Sequence, residues 1–202
     1  MTVYWATSNA GKLREFRLAA PAGLIVEPLP GLTSLVPPEE NGATFEDNAA
    51  IKANFYSLHA PAGSLTFADD SGLEVDALGG EPGVHSARFS GPSATDQTNN
   101  ALLLEKLAGT ENRAARFVCV IALSRGGKTV AHFRGTVEGE ILRAPRGAGG
   151  FGYDPLFYCP QLGCTLAEAS DEQKLNVSHR GAALASLFAF LAASPGSKSE
   201  SR

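Results

Sequence analysis

At 202 residues, 44% of them hydrophobic and 19% charged, the chain is long enough to bury a substantial core and has the balance of a soluble globular protein. Its formal charge of −4 argues against a nucleic-acid polymer as partner, since such binders carry a basic footprint, but leaves room for a small anion in a local basic pocket. Cys119, Cys159 and Cys164 are odd in number and lack metal-type pair spacing, so they read as reduced thiols of a cytoplasmic protein. The most apolar late stretch, 182–193, is too short to span a bilayer, so no membrane is expected.

In chain order, VYWATSN (3–9) predicts a short strand ending in turn residues, with no signal peptide before it, and GKLREFRLAA (11–20) a helix. GLIVEPL (23–29) reads as a second strand, followed by a loop rich in proline, glycine and acid over 30–43. Thr44 is placed to cap a helix over 45–60, with Ile51, Phe55 and Leu58 on one face. SLTFA (64–68) returns as a strand that ends at Asp69 and Asp70. A long glycine-punctuated loop spans 78–95, and a helix covers 96–108. The runs 115–125 and 128–142 flank Gly126-Gly127 and predict a long hairpin. A glycine loop, RGAGGFGYDPLFY (146–158), feeds a further strand. The last helix follows Ser178-His179-Arg180, with Leu184, Leu187, Phe188 and Leu191 as its apolar stripe. This order predicts a mixed α/β fold with a hairpin inserted between βα units, and a frayed polar tail over 195–202.

Four segments carry groups suited to chemistry. TSNAGK (7–12) is a strand-to-helix turn whose free backbone N–H groups suit an anion, with Lys12 adding a point charge; it is not a Walker loop, and an ordinary helix start is the alternative. Asp69 and Asp70, with Glu39 and Glu40, fall in or beside loops where strands are expected to end, as a magnesium-binding edge or simply as exposed turn residues. Glu46 and Asp47 are explained by capping, and Lys52 reads as solvated or ion-paired. In GGFGYDP (149–155), the glycines let a flat ligand approach, Phe151 and Tyr153 offer ring faces and Asp154 offers an acceptor; a structural turn is the competitor. In KLNVSHR (174–180), Ser178 caps the last helix and puts His179 and Arg180 at its positive end. That opposes the dipole unless an anion or an electron-rich base edge arrives there.

These blocks, in this order, resemble the inosine triphosphate pyrophosphatase family: TSNAGK, EENGATFEDNAAIKA, ADDSGLEVDALGGEPGVHSARFSG, GGFGYDPLF and SHRGAAL. The resemblance implies one α/β domain over 1–194, with a long mixed central sheet, flanking helices and two lobes around a nucleotide cleft, usually in a homodimer. It implies Mg²⁺-dependent hydrolysis of ITP, dITP and XTP to the monophosphate and pyrophosphate, with one metal per subunit. On its motifs, Thr7, Ser8, Asn9, Ala10, Gly11 and Lys12 hold the triphosphate. Glu39 and Asp70 bind the metal, Asp70 also accepts a proton, and Asp69 supports it. Ser71, Phe151, Gly152, Tyr153, Asp154, Lys174, His179 and Arg180 contact substrate. The chain departs from the family pattern in small ways: Asn41 stands where threonine is common, Asp47 where glutamate is, and Leu175 where asparagine is. A related pyrophosphatase for other modified bases and a non-catalytic nucleotide-sensing module are the competing readings.

Overall fold

The computed structural model describes residues 2–193, so the tail expected over 195–202 lies outside the described residues. Seven strands form one sheet in the order β2-β1-β3-β4-β5-β6-β7. Their bounds are β1 Thr2–Trp5, β2 Ile25–Pro28, β3 Leu65–Val75, β4 Ala114–Arg125, β5 Lys128–Ile141, β6 Phe157–Cys159 and β7 Cys164–Thr165. The helices are α1 Ala10–Ala19, α2 Phe45–Ser57, α3 Asp96–Lys106, α4 Asp171–Val177 and α5 His179–Ala193. β1 pairs in parallel with both β2 and β3, whereas β6 pairs antiparallel with β5 and β7. The sheet is therefore mixed, as expected. Parallel pairing at one end follows from the helical crossovers α1 and α2, and antiparallel pairing at the other from connections that carry no crossover helix.

The described residues divide into two compact units: 2–70, 120–134 and 182–193 in the first, 71–119 and 135–181 in the second. In the first, Trp5, Phe16 and Phe67 pack in series, one pair tilted and the other edge-on, at 5.5 and 5.4 Å between ring centroids, joining β1, α1 and β3. Leu184, Leu187 and Leu191 of α5 are buried there, as the apolar stripe requires. In the second unit, Leu73, Val75, Leu103, Leu107, Phe117, Leu156 and Phe157 form a continuous core.

Local chemistry explains most element boundaries. The Thr44 hydroxyl accepts from Asp47 N at 3.1 Å, while the Asp47 carboxylate accepts from Thr44 N at 3.2 Å, a reciprocal cap on α2. Gly126 and Gly127, both at positive φ, close the β4–β5 turn. The Ser178 hydroxyl accepts from Gly181 N at 3.1 Å and so caps α5.

Three expectations change. β3 does not stop at Ala68; it continues through both aspartates to Val75, with Asp69 3% and Asp70 8% exposed. The Asp-Asp-Ser-Gly stretch carries turn chemistry, but cations waiting on either side of the strand let it stay extended, as shown below. On α2 the buried face is Phe45, Asn48, Ala49, Ala53 and Tyr56, not the stripe through Ile51, Phe55 and Leu58, and Leu58 is exposed. Small alanines on that face allow close packing, which a count of large apolar residues overlooks. Finally, α4 and β7 were not anticipated; both are too short to show a period.

Candidate functional site

In the first unit, the turn after β1 is built around Asn9, whose Oδ1 accepts from Lys12 N at 3.1 Å and starts α1. Thr7 Oγ1 accepts from Asn9 N at 3.2 Å, tightening the same turn, and Ser8 and Asn9 remain exposed. Ala10 and Gly11 begin the helix, so their N–H groups belong to its unsatisfied first turn. Lys12 then reaches β3, its ammonium 2.8 Å from Asp69 Oδ2.

The next residue of the strand meets a second lysine. Lys52 Nζ lies 2.9 Å from Asp70 Oδ1 and 2.8 Å from Glu40 Oε2. One helical turn earlier, Asn48 Nδ2 donates to Asp70 Oδ2 at 3.4 Å, while Asn48 Oδ1 accepts from Gly42 N at 2.8 Å. Asn48 thus ties the 40–42 loop to β3. Gly42 is required for that tie, since a Cβ there would lie 2.8 Å from Asn48 Oδ1 and 2.5 Å from Asp47 Cβ.

Three carboxylates and two ammonium groups therefore crowd one end of this unit, leaving one carboxylate in excess. Burial works to lower the Lys52 ammonium, but the Asp70 carboxylate, with Asp69 and Glu40, outweighs it and holds Lys52 above the ordinary lysine value. Burial pushes the Asp70 carboxyl above the usual carboxylate range, and the Lys52 ammonium only partly offsets this. The sequence reading of Lys52 as ion-paired is thus met, but its importance was missed. Its i,i+4 spacing from Asn48 was the available signal.

The donor set suits a hard divalent cation. Asp70 and Glu40 already converge on one positive charge, through oxygen atoms alone, in the manner of a site that takes its remaining ligands from water and phosphate. Glu39, by contrast, is exposed, and the carboxylate on the Lys52 ammonium is that of Glu40. Among the described residues no cluster of three or more His, Cys, Asp or Glu forms an all-protein metal cage.

In the second unit, the 149–154 loop folds over its own aspartate. Asp154 Oδ2 accepts from Phe151 N at 2.8 Å and from Lys174 Nζ at 2.7 Å, with Asp154 and Lys174 each 3% exposed. A Cβ on Gly150, at φ +70°, would run into that carboxylate. The Lys174 ammonium stands 4.6 Å from the Phe151 ring centroid and the Arg180 guanidinium 5.6 Å, so two cations face one partly exposed ring. Arg180 Nη2 donates to Ser71 Oγ at 3.3 Å. His179 stacks on Phe117 at 4.9 Å and 12°, buried rather than superficial. Tyr153 faces inward, donating to Ser86 O at 2.8 Å, and burial pushes its phenol far above its ordinary value, with Asp96 adding to the effect.

Each unit thus assembles part of the predicted set it contains, with Glu39 exposed in the first and His179 stacked on Phe117 in the second. The first brings Lys12, Asp69 and Asp70 together, and adds Glu40, Asn48 and Lys52. The second brings Ser71, Phe151, Asp154, Lys174 and Arg180 together, with Gly152 and Tyr153 in the same loop. No helix among the described residues is long and apolar enough to cross a membrane.

Comparison with known proteins gives a consistent result. The Ham1 family model matches residues 3–190. A protein from Acidobacterium capsulatum named dITP/XTP pyrophosphatase is 53% identical over 200 residues, covering 95% of this chain and 98% of that protein. The Ham1 protein of Staphylococcus aureus superposes with a TM-score of 0.84 at 43% identity, covering 95% of this chain and 98% of that one. A HAM1 protein from Coxiella burnetii does so with a TM-score of 0.86 at 39% identity, covering 96% of this chain and 100% of that one. With motifs, sheet order and relatives in agreement over nearly its whole length, the chain belongs to the Ham1 family.

Proposed function

We propose that the chain hydrolyses deaminated purine nucleoside triphosphates, dITP, ITP and XTP, to the nucleoside monophosphate and pyrophosphate. This removes them from the pool that feeds nucleic-acid synthesis. The observation that carries the reading is the shared ammonium of Lys52, held at 2.8 and 2.9 Å between Glu40 and Asp70. A pair of carboxylates focused on one cation, beside a helix-start turn and a second lysine, is the arrangement a metal–triphosphate substrate needs. The names of the relatives supply the substrate class.

The 7–12 turn, through Thr7, Ser8, Asn9 and the N–H groups of Ala10, Gly11 and Lys12, holds the triphosphate, and the Lys12 and Lys52 ammonium groups take up its negative charge. Asp70 and Glu40, which share the Lys52 ammonium, would hold a divalent cation, Mg²⁺, one per subunit, with Glu39 on the exposed side of the same loop and Asp69 keeping Lys12 in place. When bound, the cation neutralises charge on the phosphate oxygens. Asp70 takes a proton from water as the water oxygen bonds to the α-phosphorus; the bond from that phosphorus to the bridging oxygen breaks, and pyrophosphate leaves. Ser71, Phe151, Gly152, Tyr153, Asp154, Lys174, His179 and Arg180 form the purine end. Phe151 supplies the ring face. Lys174 and Arg180 supply donors for the 6-keto oxygen of hypoxanthine or xanthine, and an adenine amino group would set donor against donor in a buried setting. The working form is a cytoplasmic homodimer.

A substrate panel tests this. With Mg²⁺, the protein should release pyrophosphate from dITP, ITP and XTP and far less from dATP, and EDTA should abolish release. Orthophosphate as the product, or equal turnover of dATP, would defeat the reading.

A further inference from the structure

Phe151 sits between two glycines at positive φ, Gly150 at +70° and Gly152 at +62°, so the loop's own backbone does little to fix its ring. Within the loop the Asp154 carboxylate holds the Phe151 N–H; the restraint from outside the loop comes from α3, a helix that carries none of the residues assigned above. Asp96 Oδ2 accepts from Gly152 N at 2.7 Å, and Asn100 Nδ2 donates to Gly152 O at 2.9 Å. The two side chains are four residues apart, on one face of the helix, and grip the same residue from its two ends. The first bond is charge-assisted. The second is made although Asn100 Oδ1 is buried with no hydrogen-bond partner, so the amide is turned toward the loop at a cost.

The neighbouring side chain of the helix faces a different segment. Asn99 Nδ2 donates to the carbonyls of Ser86 and Ala87, each at 3.3 Å, while its Oδ1 accepts from Ser90 N at 2.8 Å. Ser86 O also accepts from Tyr153 OH at 2.8 Å. The residue after Gly152 is therefore tied to the same helix through one intermediary.

We propose that Asp96 and Asn100 are positioning residues for purine recognition. Their clamp on the Gly152 backbone fixes Phe151, and with it the ring that faces Lys174 and Arg180, before substrate arrives. The inference rests on the reading that the 149–154 loop binds the purine. It assigns the cost of ordering that loop to α3 rather than to the bound nucleotide, so the clamp acts on KM rather than on the phosphate chemistry.

Steady-state hydrolysis of dITP by the full chain and by Asp96→Ala, Asp96→Asn and Asn100→Asp tests the proposal. Asp96→Ala removes the acceptor, and Asn100→Asp, of equal size, sets a carboxylate against the Gly152 carbonyl. Each should raise KM about tenfold with kcat close to wild type. Asp96→Asn retains an acceptor oxygen and should restore KM to near the wild-type value. Unmoved KM in Asp96→Ala and Asn100→Asp would overturn the clamp. So would a fall in kcat at constant KM, the mark of a smaller folded fraction, or an Asp96→Asn variant as impaired as Asp96→Ala. A wild-type protein that fails to turn over dITP would instead overturn the functional reading on which the clamp rests.

Discussion

Lys52 Nζ lies 2.9 Å from Asp70 Oδ1, and neither side chain is more than 14% exposed. This pair links an inner strand of the sheet to α2 and places a positive charge where two acidic side chains converge. Replacing Lys52 with methionine keeps the aliphatic stem but leaves Asp70 and Glu40 facing each other without a cation. The variant should lose about 3 kcal/mol of stability in metal-free buffer, the cost of breaking a buried pair from one side. Mg²⁺ should return more of that loss in the variant than it adds to wild type. Urea denaturation with and without Mg²⁺ measures both, and an unaltered midpoint would show that the ammonium is not needed to hold the carboxylates together.

Asp70→Asn preserves the shape of the side chain and its bond from Asn48, and Lys52 retains Glu40. The protein should stay folded by near-UV circular dichroism, while kcat for dITP falls by about 10²–10⁴, the range for loss of a positioned general base. A wild-type kcat would remove Asp70 from the proton-accepting role.

Lys174→Met leaves the Asp154 carboxylate, which also receives the Phe151 N–H, buried without its counter-ion, and strips one cation from the Phe151 ring. KM for dITP should rise at least about tenfold, corresponding to loss of a hydrogen bond to a charged group. Mg²⁺ affinity, read by the metal dependence of residual activity, should change little. Equal losses in both would mean that the 149–154 loop is not confined to the purine end.

Gly150 and Gly163 share a φ of +70°, but only Gly150 has a neighbour that a Cβ would strike, the Asp154 carboxylate. Gly163→Ala should therefore cost about 1 kcal/mol, the backbone penalty alone, with kinetics unchanged. Gly150→Ala should cost more and raise KM for dITP. Chemical denaturation and steady-state kinetics on the two variants separate strain from collision, and indistinguishable variants would show that the collision is relieved without consequence.

Much of this was legible in the sequence where chemistry is local. The Thr44 cap, the Gly126-Gly127 hairpin, the Ser178 cap and the α5 stripe are each decided within a few residues, and each stands as read. What sequence could not show was long-range compensation. Asp69 and Asp70 look like a turn because two adjacent carboxylates are costly inside a strand. Lys12, 57 positions earlier, and Lys52, 18 positions earlier, cancel that cost and let β3 run on to Val75. The settings of His179 and Arg180 are hidden from the sequence for the same reason. Phe117 and Phe151, which receive them, are distant in sequence. Glu39 and Glu40 are equivalent on paper, and only the path of the loop turns Glu40 toward Lys52.

The most direct test of the central claim, attack by an Asp70-activated water at the α-phosphorus, is where the solvent oxygen goes. Hydrolysis of dITP in ¹⁸O-enriched water with Mg²⁺, followed by mass spectrometry of the products, should place the label in dIMP and leave pyrophosphate unlabelled. Label in pyrophosphate, or in orthophosphate released from the far end, would contradict it.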